Sequence, residues 1–115
     1  RNAKENHKLT FSFANGRDFW LHARNFHGSH VIIPMDRNEE LPQQVLIEAA
    51  MLALHFSGGS KNRQGEIIYS RKKHLRSVKG ETGKVLTSTS SNITVKIDPE
   101  LIEDIIKKSK NPELI

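Results

Sequence analysis

The amino-acid sequence predicts one α+β domain, in which a mixed β-sheet carries about three packed helices. The chain has 115 residues, about the length of a single domain. Short segments rich in β-branched and aromatic residues recur along it, which is typical of strands. Two other segments combine helical spacing of apolar residues with helix-end signals. Strands therefore outnumber helices, and this balance favours the α+β class.

Composition excludes several classes of protein. Hydrophobic residues make up 36% of the chain and charged residues 27%, which suits a folded domain. No apolar run approaches the roughly 18 residues of a membrane-spanning helix, so we expect no membrane partner. The absence of cysteine excludes disulfides and thiolate zinc sites and suits a cytoplasmic protein. No signal peptide is visible. Because the chain begins at Arg1 and not at a Met, we expect residues 1–115 to be one piece of a larger multidomain protein.

The N-terminal segment gives a mixed signal. Asn2 followed by Glu5 is a helix-start pattern, because a cap residue precedes Glu by three positions. Leu9, Phe11 and Phe13 alternate as in a strand, whereas Leu9 and Phe13 alone fit a helix. Both readings stay open.

Two short strands are predicted next, over residues 18–23 and 29–33. Both segments are rich in aromatic and β-branched residues. Asn15-Gly16 predicts a turn before the first strand, and His27-Gly28 can form the connection to the second.

The broadest apolar stripe predicts a helix that starts at Pro42, because proline is tolerated at the first helical position. Gly58-Gly59 ends this helix. The small residues in the stripe predict close packing against a sheet. Its members are Val45, Leu46, Ala49, Ala50, Leu52, Ala53 and Phe56.

The second half of the chain predicts strands at residues 66–70, 85–86 and 92–97. Residues 80–84 are predicted to form a turn, because their two glycines are too close together for a phosphate-binding loop. Asp98-Pro99-Glu100 predicts the start of a final helix, with cap, proline and first-turn acid in order. Its apolar stripe is Leu101, Ile102, Ile105 and Ile106, and the cations near its end are Lys107, Lys108 and Lys110.

The net positive charge lies in residues 61–84. This segment has eight Lys or Arg and two acids, a balance of +6, whereas residues 1–60 sum to zero and residues 85–115 to −1. Such a concentration is self-repulsive unless a polyanion neutralises it, and phosphate backbones do so with release of counterions. The segment therefore predicts a nucleic-acid partner. Its cations are Lys61, Arg63, Arg71, Lys72, Lys73, Arg76, Lys79 and Lys84.

The placement of these cations allows an alternative. If a strand runs through them, Arg71 and Lys73 share one face and Lys72 points to the other, so the band wraps an edge or a loop. The same lysines can protect an edge strand against aggregation, or simply form a solvated surface.

A second candidate site is one face of the first strand. Asp18, Trp20, His22 and Arg24 alternate onto it, and His30 on the next strand can join them. This face can stack bases and hold phosphate, or it can be a hydrogen-bonded network that fixes the fold. Asp18, His22 and His30 are also possible metal ligands of an enzyme, but their spacing matches no strong zinc pattern. We therefore expect no metal, cofactor or catalytic residue.

The order of several motifs resembles the NFACT-R domain, the RNA-binding domain of NFACT proteins, over about residues 1–95. The motifs are Arg1–Asn6, Asp18–Arg24, Gly28–Ile33, Glu48–Ala50 with Ser57, and Lys79–Val85. The tryptophan–histidine block followed by Gly-Ser-His is the specific part. Two positions differ from the family pattern: His7 replaces a usual Asp, and His27 replaces a common Pro.

The resemblance implies RNA binding. The family includes tailing factors of ribosome-associated quality control and bacterial relatives often labelled fibronectin-binding proteins. Full-length relatives also contain an N-terminal NFACT domain, helix-hairpin-helix segments and a coiled coil. They bind stalled large ribosomal subunits with tRNA and promote C-terminal tailing of the trapped nascent chain.

We therefore expect a cytoplasmic RNA-binding module, not an enzyme, that contacts tRNA and large-subunit rRNA on the ribosome. The cations of residues 61–84 would supply most phosphate contacts. A second, more selective surface or a polar core behind it would consist of Arg1, Asn6, Trp20, His22, Arg24 and His30. One rival is a protein-interaction module, such as an adhesin fragment that binds fibronectin, and the absence of a secretion signal argues against it.

Overall fold

The computed structural model describes residues 8–24, 30–57 and 64–109, and the α+β class predicted from the sequence is confirmed. The strands are β1 (Phe19–Ala23), β2 (Val31–Ile33), β3 (Gln64–Arg71), β4 (Leu75–Val78), β5 (Glu81–Thr87) and β6 (Ser91–Lys96). The α-helices are α1 (Gln43–His55) and α2 (Pro99–Ser109). A π-helical turn covers Leu9–Phe13, and a 3₁₀ turn covers Lys72–His74.

Four strands form the main sheet in the order β2-β1-β3-β6, and β4 and β5 form a separate hairpin. All three pairings of the main sheet are antiparallel, where a mixed sheet was expected. The reason is the short strand β2, which takes the chain back to the end where β1 began. The helix α1 then returns the chain to the opposite end, so β3 enters antiparallel to β1.

The hydrophobic core lies between the two α-helices and one face of the main sheet. Leu21 and Ile67 from the sheet and Ala50 and Leu54 from α1 are completely buried there. Gly65 allows the close approach, because a Cβ atom at this position would lie 2.7 Å from a methyl carbon of Leu54. The small residues of α1 therefore pack against the sheet as predicted.

The helix starts agree closely with the sequence signals. The helix α1 begins at Gln43, one position later than predicted, and Pro42 is the extended residue just before it. At the start of α2, the Asp98 carboxylate accepts hydrogen bonds from the backbone N–H groups of Glu100, at 3.1 Å, and Leu101, at 3.3 Å. These bonds satisfy two of the donors that a helix start leaves without partners.

The hairpin differs from the prediction. The chain turns at Lys79–Gly80, with Gly80 at a φ of 80°, and the predicted turn residues 81–84 belong to β5. The strand β4 was not predicted, because its sequence Leu75-Arg-Ser-Val78 does not alternate with period 2: its two apolar residues are three positions apart. The 3₁₀ turn also ends β3 at Arg71, so the strand alternation expected across Lys72 and Lys73 does not apply.

Some sequence signals lie outside the described residues. These are the helix start at Asn2 and Glu5, the connection at His27-Gly28, the helix end at Gly58-Gly59, and Lys110. Within the described ranges, no helix is long and apolar enough to cross a membrane.

Candidate nucleic-acid interface

The cationic turn, Lys72–His74, is held against the loop that precedes β1. The backbone N–H of Lys72 donates to the Asp18 carbonyl at 2.8 Å, and that of Lys73 donates to the Gly16 carbonyl at 2.9 Å. The antiparallel pairing of Phe19 with Arg71 brings these two segments together. The backbone of the turn is thus fixed to the main sheet, while its side chains extend from one corner of it.

Two arginines complete this corner. The Arg71 guanidinium lies over the Phe19 ring and donates a 2.7 Å hydrogen bond to the Arg17 carbonyl. The Nε of Arg17 in turn donates to the Met35 carbonyl at 2.6 Å. Sequence reasoning missed Arg17, because only the long-range pairing of β1 with β3 brings the Asn15-Gly16 turn to the cationic segment.

Several cations of this region are open to solvent. Lys73, Arg76 and Lys79 are exposed and Lys72 is half-buried. None of these four side chains makes an ion pair within the ranges that the structure describes. Lys84 is also exposed but lies 3.6 Å from the Glu81 carboxylate, its neighbour on β5. Glu81, the one acidic residue of the hairpin sequence, therefore neutralises Lys84 in part.

The hairpin is tied to the main sheet through the bend that follows β5. The Thr89 carbonyl accepts hydrogen bonds from the hydroxyls of Ser70 and Thr87, both at 2.7 Å. The backbone N–H of Ser88 donates to the His74 carbonyl at 3.0 Å. These bonds fix the position of the hairpin beside the cationic turn.

A solvent-open groove of about 410 Å³ lies between the cationic turn and the hairpin. Its lining has cationic, hydroxyl and aliphatic groups, and none of the described residues that line it is acidic. The lining residues are Lys73, His74, Leu75, Arg76, Leu86, Thr87 and Ser88. No local sequence pattern predicts this groove, because the groove depends on how the turn and the hairpin meet.

The aromatic face of β1 is largely closed to solvent. Trp20 is 5% exposed and His30 is 3% exposed, whereas His22 is half-buried. The Trp20 and His22 rings are parallel with centroids 5.8 Å apart, and the His30 ring meets both edge-on with centroid distances of 5.4 Å. Trp20 and His30 were predicted as RNA contacts. Their burial leaves no room for a base to stack on either side chain in this conformation.

The alternative for this face was a hydrogen-bonded polar network. A 2.8 Å hydrogen bond joins the hydroxyl of Thr10 to Nδ1 of His30, and both side chains are buried. This bond connects the π-helical turn to the ring cluster of Trp20, His22 and His30. Among the buried polar side-chain atoms that the structure describes, Trp20 Nε1 has no hydrogen-bond partner.

Asp18 has a role in the loop that precedes β1. Its carboxylate accepts backbone hydrogen bonds from Asn15 at 2.8 Å and from Met35 at 2.9 Å. The carboxylate thereby joins the turn before β1 to the segment after β2, and it is 4% exposed. Asp18, His22 and His30 are not part of any group of three possible metal ligands in the described residues.

Arg24 lies at the far end of β1 and is paired with an acid. Its guanidinium forms a salt bridge with the Glu66 carboxylate, and its backbone N–H donates to the Glu66 carbonyl at 2.9 Å. The Glu66 carboxylate therefore already neutralises part of the Arg24 charge that was predicted to contact RNA. The remaining predicted contacts, Arg1, Asn6, Lys61 and Arg63, lie outside the described residues.

Comparison with known proteins gives the family of the chain. Residues 1–94 match the model of the NFACT protein RNA binding domain, so the chain belongs to this family. The resemblance predicted from the tryptophan–histidine block and the Gly-Ser-His motif is confirmed.

Individual relatives extend this result. The chain is 31% identical to the Rqc2 homolog RqcH of Bacillus subtilis (strain 168) over 111 residues, which are 96% of this chain and 19% of that protein. The namesake in Streptococcus suis (strain 05ZYH33) is 32% identical over 112 residues, again 96% of this chain and 19% of the relative. The chain therefore spans about a fifth of the length of these relatives.

A solved structure shows the same fold. It is the C-terminal part of the fibronectin/fibrinogen-binding protein from Streptococcus suis, with a TM-score of 0.79 and 28% sequence identity. The similarity covers 90% of this chain and 42% of that one.

Proposed function

We propose that this domain binds tRNA or large-subunit ribosomal RNA and is the RNA-binding module of a protein of ribosome-associated quality control. Its membership of the NFACT RNA-binding family and its similarity to proteins named Rqc2 homolog RqcH support this role. On this proposal the domain acts in the cytoplasm by binding rather than by catalysis. Tailing of stalled nascent chains belongs to the full-length protein.

The cations that have no acidic partner within the described part of the chain carry the proposal. Lys72, Lys73 and Arg76 follow one another on the fixed turn and the adjoining strand, and Lys79 lies at the tip of the hairpin. A phosphate backbone that follows this line displaces one counterion for each charge it neutralises, and this release drives binding. The buried Trp20 and His30 then support the sheet and make no contact with RNA.

Charge reversal tests the assignment. The triple variant Lys72→Glu, Lys73→Glu, Arg76→Glu should lower affinity for a tRNA or an isolated large subunit by about two orders of magnitude at physiological salt. The three side chains are exposed or half-buried, so the far-ultraviolet circular dichroism spectrum should not change. Fluorescence anisotropy with labelled tRNA measures the affinity.

A matched control separates a specific surface from net charge. The variant Lys96→Glu, Lys107→Glu, Lys108→Glu changes the net charge equally, at exposed positions on β6 and α2. It should keep most of the affinity. Full binding by the first variant, or an equal loss in both, would reject the proposed surface.

A second candidate function is binding of an extracellular-matrix protein. The observation that favours it is the similarity to the solved fibronectin/fibrinogen-binding protein. Capture from cell lysate with and without ribonuclease distinguishes the two candidates. An RNA-mediated partner is lost after nuclease treatment, whereas a directly bound protein remains.

A further inference from the structure

The groove beside the hairpin has a lining that phosphate binding alone does not require. Two cations, Lys73 and Arg76, and the imidazole of His74 face it, together with aliphatic surface from two leucines. Its volume of about 410 Å³ lies within the range of about 300 to 1,000 Å³ that is usual for small-molecule sites. A groove of this size and lining suits a ligand with an anionic part and an apolar, flat part.

The walls of the groove are fixed before any ligand binds. On one side, the Lys73 backbone donates to the Gly16 carbonyl at 2.9 Å. On the other side, the Ser88 backbone donates to the His74 carbonyl at 3.0 Å, and the Thr87 hydroxyl donates to the Thr89 carbonyl at 2.7 Å. Because the walls are already fixed, the protein loses less conformational entropy when a ligand binds.

An apolar side chain lies directly beside one of the cations. Arg76 on β4 and Leu86 on β5 are cross-strand partners and therefore share a face of the hairpin. Leu86 is 45% exposed, one of the most exposed large hydrophobic side chains in the described residues. A nucleobase packed on Leu86 would cover this surface and bring its own phosphate within reach of the guanidinium.

This inference rests on the proposed RNA binding and adds the kind of RNA that is preferred. We infer that the groove takes one unpaired nucleotide, with its phosphate between Lys73 and Arg76 and its base against Leu86. The His74 imidazole can then form a hydrogen bond with the base edge or the ribose hydroxyl. Paired bases stay stacked inside a helix, so the groove favours RNA with a bulge or a loop over a continuous duplex.

Two RNA hairpins of equal length test this preference, one fully paired and one with a single bulged adenosine in the stem. The 115-residue chain should bind the bulged hairpin about fivefold more tightly, which corresponds to burial of part of one leucine side chain. Leu86→Ser should remove this preference and leave the affinity for the paired hairpin unchanged. Val45→Ser, at a 38% exposed aliphatic residue of α1, should keep the preference.

A nuclear magnetic resonance titration gives a readout that needs no variant. Adenosine monophosphate should shift the methyl signals of Leu75 and Leu86, whereas inorganic phosphate should leave them unchanged. Equal affinity of the unmodified chain for the two hairpins, or a preference that survives Leu86→Ser, would overturn the inference and leave the proposed RNA binding intact. Failure to bind even the paired hairpin would reject both.

Discussion

The guanidinium carbon of Arg71 lies 4.4 Å from the centre of the Phe19 ring, across the pairing of β3 with β1. The same side chain donates a hydrogen bond to the Arg17 carbonyl. Arg71 is predicted from the sequence to contact RNA phosphate. These two interactions also give the side chain a role in the stability of the fold. The cation–π contact stabilises the corner of the sheet from which the cationic turn extends.

Replacement of Arg71 should therefore reduce stability. We expect Arg71→Gln to lower the free energy of unfolding by about 1 to 2 kcal/mol, because it removes the cation–π contact and a hydrogen bond. Urea denaturation followed by circular dichroism measures this change. Arg37→Gln is the control, because Arg37 is exposed and makes no ion pair or side-chain hydrogen bond among the described residues. Equal stability of the two variants would contradict the role assigned to Arg71.

Asp18 should be more important for folding than its place beside a cationic segment suggests. Its two carboxylate oxygens accept one backbone N–H each, from Asn15 and Met35, in a buried setting. Asp18→Asn leaves one of these donors facing an amide NH₂ group, which should cost about 2 to 3 kcal/mol of unfolding free energy. Thermal or chemical denaturation measures the loss. The exposed Asp36→Asn variant serves as the control, and an equally small effect of both changes would count against this account.

Trp20 should behave as a buried residue in fluorescence. At 5% exposure, its emission should be blue-shifted, poorly quenched by iodide, and nearly unchanged when RNA binds. Strong quenching by RNA without a change in fold would instead place the indole in the interface.

The size of the side chain at position 20 should matter more than its N–H group. Trp20→Ala should cost about 3 to 5 kcal/mol of stability because it leaves a large cavity. Trp20→Phe should cost much less, because it also removes the buried Nε1 that has no partner in the described residues. A Phe variant as unstable as the Ala variant would show that the N–H group is needed.

Two lysines of the hairpin should contribute unequally to the salt dependence of RNA binding. Lys79→Gln should reduce the slope of log affinity against log salt concentration by about 0.7 to 0.9, the value for one phosphate contact. Lys84→Gln should reduce it less, because Glu81 lies 3.6 Å from the Lys84 ammonium. Glu81→Gln should therefore strengthen binding. Identical slopes for the two lysine variants would show that the Glu81 pair has no influence on RNA binding.

The sequence predicts those elements whose signals are local. The stripe of α1 and the cap at Asp98 depend on neighbouring residues, and both helices form where those signals lie. The antiparallel order of the sheet, the strand β4 and the exact position of the turn at Gly80 depend on how strands pair, and no local period-2 pattern marks β4. Local reasoning misplaced or missed these three features for that reason.

The candidate site likewise has one feature that the sequence predicts and others that it does not. The concentration of charge in residues 61–84 is visible in the sequence, and the structure adds which cations already have partners. Arg24 is paired with Glu66, and Trp20 is buried although it lies on the face opposite the core. Neither fact can be derived from alternation along β1, since alternation gives the face of a residue but not what covers that face.

Among the side chains that the structure describes, the hairpin of β4 and β5 contributes none to the buried core. Substitutions at its exposed positions can therefore accumulate at little cost to folding, because they alter neither the packing of α1 nor the pairing of the main sheet. Such substitutions can change the ligand preference of this arm while the scaffold beneath it stays constant.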